Sequence, residues 1–223
     1  MISLIHPSRA RPRKATETAQ RWIERAGQKV QHIFSLDEDD GHWGEYPMID
    51  IVLVNDNSNA VQAINRAAKE AYGDILVVVS DDFDCPENWA NEIEKFVGKR
   101  MDWILKTQDG TQGWIITLPI MDRVYFNRFG YIYFPGYQHM FCDTEMTCVA
   151  ELTGRKLTSD LLFKHNHYSV TKGERDAVSV KADATWAQGE RLFLDRYKSN
   201  FGVTDIKGRI TDASYLNWIK KKL

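Results

Sequence analysis

Two adjacent carboxylates directly follow the most apolar segment of the chain. Asp81 and Asp82, preceded by Ser80, come after residues 75–79, all of which are aliphatic. A short run that is apolar at every position is typical of a parallel strand covered on both faces. Ligands of open parallel sheets bind beyond the carboxyl ends of the strands. We therefore predict a binding site at this acidic triplet, although the same side chains could instead cap the helix that follows.

Polar side chains also end the three preceding apolar segments, at residues 6–9, 37–40 and 55–57. Carboxylates at one sheet edge repel each other unless a cation joins them, and Mn²⁺ and Mg²⁺ prefer oxygen ligands that they share with substrate phosphates. Such an ion neutralises charge on a leaving phosphate group. Arg9 and Arg11 could each bind a phosphate through two hydrogen bonds from the guanidinium group, or could be solvated surface charges. The pattern predicts a Mn²⁺ or Mg²⁺ site for a phosphate-containing substrate.

The first half of the chain alternates apolar runs with amphipathic helical stripes. The runs lie at residues 2–5, 30–36, 49–54 and 75–79, and the stripes between and after them end at Gly27, Gly73 and Gly98. This alternation predicts an α/β layer structure with one Rossmann-like, mostly parallel sheet flanked by helices.

The second half is less regular. We predict strands at residues 103–106 and 114–118 on either side of a turn at 109–110, and an extended segment at 157–165. Helices are predicted at 122–129, 143–153 and 183–201, each followed by a glycine. Without a repeat or a linker, the whole of 1–223 is assigned to one domain, with halves 1–100 and 101–205 and a helical tail at 206–223.

Composition excludes several classes of protein. The formal net charge is -2, and no basic block indicates a nucleic-acid footprint. The three cysteines have no CxxC spacing, which argues against a disulfide framework or a zinc site. The absence of a glycine-rich P-loop pattern argues against a nucleoside triphosphatase of that type. No apolar run is long enough to span a membrane, so we expect a cytoplasmic protein.

Residues 55–89 resemble the nucleotide-sugar-binding half of family 2 glycosyltransferases with the GT-A fold. The matching features in order are Asn57, Ala63-Ile64-Asn65, Gly73-Asp74, the run 75–79, Ser80-Asp81-Asp82, Pro86 and Trp89. The resemblance extends more weakly over residues 2 to 200. It implies a GT-A nucleotide-diphospho-sugar transferase fold and a nucleotide-diphosphate sugar as donor.

The resemblance also implies roles for residues of the first half. Residues 2–11 are similar to the first strand and nucleotide-contacting loop of the family, which makes Pro7 and Ser8 donor contacts beside Arg9 and Arg11. Asp37 corresponds to the acid that binds the base or ribose, with Asp39 as a substitute. Asn57 and Asn65 fall on the donor side. Ser80 replaces the first acid of the DXD motif, so Asp82 is the expected metal ligand and Asp81 the ribose or second metal contact.

In the second half, residues 142–145 resemble the Glu-Asp motif that supplies the catalytic base. Asp143 is the expected base, although Cys142 replaces the usual Glu, Glu145 is a rival, and Asp143 could also cap a helix. Residues 164–167 resemble a late histidine loop, which makes His165 a metal ligand with His167 as the alternative. Trp114 or Tyr137 could stack on a sugar, although core packing is the favoured interpretation of these aromatic residues.

These features together predict a metal-dependent, inverting glycosyltransferase that acts on an acceptor hydroxyl. A non-catalytic nucleotide-sugar or glycan-binding module of the same fold, a nucleotidyltransferase and retaining chemistry remain alternatives. The sequence does not specify the acceptor, and the charge balance disfavours a nucleic acid.

Overall fold

The computed structural model describes residues 1–166 and 177–223. Its centre is a sheet of seven strands in the order β3-β2-β1-β4-β6-β5-β7. The strands are β1 Ile2–Pro7, β2 Gln31–Asp37, β3 Ile51–Asn55, β4 Ile75–Val78, β5 Ile104–Gln108, β6 Ile120–Asp122 and β7 Lys156–Leu162. Only β6 runs antiparallel to its neighbours. The carboxyl ends of the other six strands therefore share one edge.

Helices cover both faces of this sheet. They are α1 Pro12–Glu24, α2 Ala60–Glu70, α3 Trp89–Val97, α4 Arg123–Phe129, α5 Cys142–Leu152, α6 Ala177–Asp183, α7 Trp186–Tyr197 and α8 Ala213–Lys222. Strand β4 explains the arrangement, because Leu76 and Val78 pack on the side of α2 and α5, whereas Ile75 and Val77 pack on the side of α1 and α3. Successive strand residues point to opposite faces, so a strand between two helical layers must be apolar throughout. The predicted α/β class and the parallel first half are confirmed.

The predicted strand at 114–118 is wrong. Residues 109–119 form a long loop, and the strand that pairs antiparallel with β5 is β6, a few residues later. The carboxylate of Asp109 accepts hydrogen bonds from the backbone N–H groups of Thr111 and Gln112 at 2.6 Å and from the Thr117 hydroxyl. These contacts hold the chain in a turn where β-propensity alone predicts extension.

The helix predicted at 183–201 corresponds to α7 alone, which begins at Trp186 and ends at Tyr197, and the separate helix α6 precedes it. The hydroxyl of Thr185, between them, accepts a hydrogen bond from the Met140 N–H and donates one to the Ala182 carbonyl. A side chain that bonds a backbone carbonyl in this way competes with the helical hydrogen bonds, which fits the end of α6 just before Thr185. Within residues 1–166 and 177–223, no helix has the length and apolar character needed to cross a membrane.

Candidate functional site

Asp81 lies at the centre of the edge formed by the ends of β1, β2 and β4. Its side chain is 3% exposed, and one carboxylate oxygen is 2.9 Å from His6 Nε2. The Ser8 hydroxyl donates to the other oxygen at 2.9 Å, and the Thr18 hydroxyl donates to the Asp81 backbone carbonyl. Arg11 is 3.8 Å away. The structure therefore brings together three of the residues predicted at the donor site, Ser8, Arg11 and Asp81.

Sequence reasoning missed two histidines beneath this cluster. His6 on β1 and His32 on β2 are fully buried, and His6 Nδ1 is 3.0 Å from His32 Nε2. Burial lowers the pKa of His32 well below its ordinary value, and the neighbouring His6 lowers it further. The sequence did hold a signal for them, since both histidines stand within apolar strand segments, and a buried histidine there needs a hydrogen-bond partner.

Arg9 and Asp37, predicted as phosphate and base contacts, contact each other. An Arg9 guanidinium nitrogen is 2.7 Å from Asp37, and the same group holds Asp39 through two hydrogen bonds. The pKa of Asp39 is lowered by this hydrogen bonding to Arg9. The backbone N–H of Ala10, in the loop that follows the last residue of β1, Pro7, donates to the Asp40 carboxylate at 2.7 Å. The loops after β1 and β2 are thus joined by charge-assisted hydrogen bonds.

Asn57 and Asn65 support backbone segments around the site. The Asn57 amide donates to the Leu36 carbonyl at 3.1 Å. The Asn65 oxygen accepts from the N–H groups of Ile132 and Tyr133 at 2.9 and 3.1 Å, and its nitrogen donates to the Tyr133 carbonyl at 2.7 Å. Asn65 therefore attaches α2 to the aromatic segment 131–137, which leads to α5.

Asp82 meets His165, although the two residues are 83 positions apart in the chain. One Asp82 oxygen is 3.2 Å from His165 Nε2, and the other accepts a hydrogen bond from the Ser80 hydroxyl at 2.7 Å. The His165 ring stacks on Phe83 with centroids 4.1 Å apart. The backbone is fixed as well, because the Asn166 N–H donates to the Asp82 carbonyl at 2.8 Å.

This pair is suited to a divalent cation. The Asp82 and His165 side chains are 16% and 19% exposed, so both can be reached from solvent. Although burial would raise the pKa of Asp82, its contacts with His165 and Ser80 lower it far below its usual range. A carboxylate and an imidazole fit Mn²⁺, which also takes ligands from phosphate and water. No group of three or more potential metal ligands occurs in the described part of the chain, and His167 lies outside it.

Asp143 lies in the first turn of α5, where one carboxylate oxygen accepts a hydrogen bond from the Thr144 N–H at 2.7 Å. Burial raises the pKa of Asp143 above its ordinary value. A carboxylate with a raised pKa is a better proton acceptor than a fully solvated one. The raised pKa of Asp143 thus fits the proton-accepting role predicted for it.

Glu145, the rival base, is committed to an ion pair. Its side chain is 4% exposed and is held by Arg196 Nε at 2.8 Å and by the Tyr137 hydroxyl at 2.8 Å. The Arg196 guanidinium also covers the Phe134 ring, 3.3 Å from its centroid.

Of the two aromatic residues considered for sugar stacking, Tyr137 is 1% exposed and belongs to the core. Trp114 packs on Tyr215, with centroids 4.8 Å apart, beside an open cavity of about 580 Å³.

No protein-family model and no curated protein matches this sequence. Solved structures do match the fold. The mannosyltransferase PcManGT from Pyrobaculum calidifontis, in complex with GDP-Man and Mn²⁺, has a TM-score of 0.60 at 12% identity, over 99% of this chain and 79% of that one. Residues 1–349 of S. aureus TarS in complex with UDP-GlcNAc give 0.63 at 12% identity, over 98% and 70%.

A longer TarS structure from S. aureus gives a TM-score of 0.61 at 12% identity, and this chain spans 42% of its length. At such identities the similarity concerns the fold alone. It confirms the predicted GT-A class, a mixed sheet flanked by helices that these glycosyltransferases share.

Proposed function

We propose that the chain is a metal-dependent, inverting glycosyltransferase that moves a sugar from a nucleotide-diphosphate donor to an acceptor hydroxyl. The observation that carries this proposal is the contact between Asp82 and His165 at the ligand-binding edge of a GT-A fold. Two structures with this fold hold GDP-Man with Mn²⁺ and UDP-GlcNAc, which supports a nucleotide sugar as the donor here. Asp82 and His165 would hold Mn²⁺ or Mg²⁺, which neutralises the departing diphosphate when bound.

The donor is assigned to the loops that follow β1, β2 and β4. Asp37 and Asp81 are assigned to the base and ribose, and Arg9 and Arg11 to the diphosphate. Arg9 is already bound to Asp37 and Asp39, so phosphate binding requires it to exchange at least one carboxylate partner. Pro7, Ser8, Asn57 and Asn65 are assigned to the walls of the donor site.

Asp143 is assigned as the general base. It takes the proton from the acceptor hydroxyl as the hydroxyl oxygen forms a bond to the anomeric carbon. The bond from that carbon to the diphosphate oxygen breaks on the opposite face, which inverts the configuration. One carboxylate is enough for this reaction because the acceptor hydroxyl is the only group that must lose a proton.

The test is metal-dependent release of nucleoside diphosphate from a panel of uridine, guanosine, cytidine and thymidine diphosphate sugars, with and without simple sugar acceptors. We expect release from one donor in Mn²⁺, a large loss in Asp82→Asn, and a loss in Asp143→Asn without weaker donor binding. Donor binding without release would favour the non-catalytic binding module. Pyrophosphate release from a nucleoside triphosphate and a sugar phosphate would favour the nucleotidyltransferase.

A further inference from the structure

We propose that His6 is a positioning residue of the donor site, which fixes the Asp81 carboxylate and is itself fixed by His32. This inference rests on the proposed function, in which Asp81 contacts the donor. His6 lies at the end of β1, His32 in β2 and Asp81 after β4. The three side chains therefore link three neighbouring strands through two contacts, of 3.0 and 2.9 Å.

The proton positions in this row of hydrogen-bonded side chains can be assigned by starting from Asp81. Asp81 only accepts hydrogen bonds when ionised, so His6 Nε2 must carry the proton that is donated to it. The Nδ1 lone pair of His6 then accepts from a proton on His32 Nε2. This assignment leaves the buried His32 Nδ1 with a lone pair, and that atom has no partner among the described residues. The opposite direction would leave an unpaired N–H there, which is the rarer defect in folded proteins.

Packing alone does not account for two histidines at these positions. The strand neighbours Leu4, Ile5 and Ile33 are all fully buried and apolar. Aliphatic residues would fill the same space without the cost of burying imidazole nitrogens. What the imidazole of His6 adds is a directed hydrogen bond to Asp81. With the Ser8 hydroxyl on the other oxygen, the carboxylate is held in one orientation, and such outer contacts commonly set ligand orientation.

Two substitutions separate the donated hydrogen bond from the shape of the ring. His6→Gln keeps an N–H donor near the position of Nε2, and His6→Phe keeps a ring of similar size but has no donor. Ser3→Ala is the matched control, since Ser3 is also buried on β1 but bonds Gln31 at the far end of the strand. The readout is the Kd of the nucleoside diphosphate that wild type binds in Mn²⁺, measured by calorimetry beside the Tm of each variant.

We expect His6→Phe to weaken nucleoside diphosphate binding about tenfold, on the scale typical of outer contacts. His6→Gln should stay within about threefold of wild type, and Ser3→Ala should bind as wild type even if its Tm falls as far as that of His6→Phe. Wild-type affinity in a folded His6→Phe would overturn the proposal. So would a His6→Gln variant as weak as His6→Phe, because a purely steric role would then explain both.

A second measurement does not require folded variants or a nucleotide. Imidazole ¹⁵N spectra of the unliganded wild-type protein should show a slowly exchanging proton on His6 Nε2 and a proton on His32 Nε2. A His6 ring without a proton on Nε2 would overturn the assignment. If wild type binds no nucleoside diphosphate, the proposed function and the donor role of His6 fail together, while the spectra still decide whether His6 holds Asp81.

Discussion

At the scale of single residues, the clearest contrast in the candidate site is between two carboxylates of α5. Asp143 and Glu145 are two positions apart on α5; Glu145 is buried and Asp143 half-buried, and their partners differ. Glu145 has an arginine and a tyrosine hydroxyl on its oxygens, and Asp143 accepts a hydrogen bond from the neighbouring backbone. The difference in partners predicts opposite consequences for the two substitutions.

Glu145→Gln is expected to reduce stability strongly. Removing the charge leaves Arg196 partly buried without its ionic partner, and breaking a buried pair on one side costs about 3–5 kcal/mol. Urea unfolding of the variant against wild type measures this cost. The control is Asp195→Asn, which breaks the exposed pair with Lys198 and should cost less than about 1 kcal/mol. Equal effects of the two substitutions would contradict a structural role for Glu145.

Asp143→Asn is expected to stabilise the fold at neutral pH. Burial raises the pKa of Asp143 above its ordinary value of 3.8, so the folded state binds more protons than the unfolded state in this range. Stability therefore falls as pH rises from 3.8 through the raised pKa, and the cost of burying the charged carboxylate remains at higher pH. Asparagine has no charge to bury and so avoids this cost. Unfolding free energies measured from pH 3 to 8 should converge for variant and wild type at the acid end, and parallel curves would contradict the raised pKa.

The same pKa shift predicts the acid limb of the activity profile. A general base must be deprotonated to work, so kcat should fall as pH drops through the raised pKa of Asp143. The limb should lie above the value of 3.8 that is usual for an aspartate. Measuring kcat at saturating donor and Mn²⁺ from pH 4 to 8 checks this, and a profile that stays flat down to pH 4 would argue against Asp143 as the base.

At the scale of elements, the site depends on side chains that join one segment to another. Asn65 on α2 is the clearest case, because its amide satisfies three backbone groups of the segment at 132–133. Asp109 acts in the same way within the loop after β5, and this loop receives the His165 N–H at the Asp109 carbonyl. The periodicity of the sequence predicts most helices and strands but cannot predict such ties, which explains the wrong strand at 114–118.

Asn65→Ala should destabilise the protein more than Asn59→Ala on the same helix. Asn65→Ala leaves the buried N–H groups of Ile132 and Tyr133 without acceptors, and each unpaired group costs about 1–3 kcal/mol. Asn59 is the N-cap of α2 and accepts from the Gln62 N–H at 2.9 Å; loss of such a cap costs about 1 kcal/mol. Denaturant unfolding of both variants gives the comparison. A smaller effect at Asn65 would mean that segment 131–137 is held by other contacts.

At the scale of the whole molecule, the sheet brings together residues from distant parts of the chain. The alternation of runs and stripes predicts which strand ends share an edge, and the family resemblance suggests Asp82 and His165 as partners. Neither predicts the contacts of His6 with Asp81 or of Glu145 with Arg196, since these join residues 75 and 51 positions apart. Such pairs become visible only when the register of neighbouring strands and helices is known.

The pair Asp82 and His165 joins the two halves of the chain, so ligand binding there should stabilise the molecule as a unit. A ligand that binds only the folded state adds about 2.7 kcal/mol at a hundred times its Kd. We expect nucleoside diphosphate with Mn²⁺ to raise Tm more than either alone. Asp82→Ala and His165→Ala should each abolish the part that depends on Mn²⁺, and Asp84→Ala, on a neighbouring acid that pairs with Arg25, should keep it. Full Mn²⁺-dependent stabilisation of Asp82→Ala would contradict the metal site, because a site with Asp82 as its principal ligand must bind Mn²⁺ more weakly without that carboxylate.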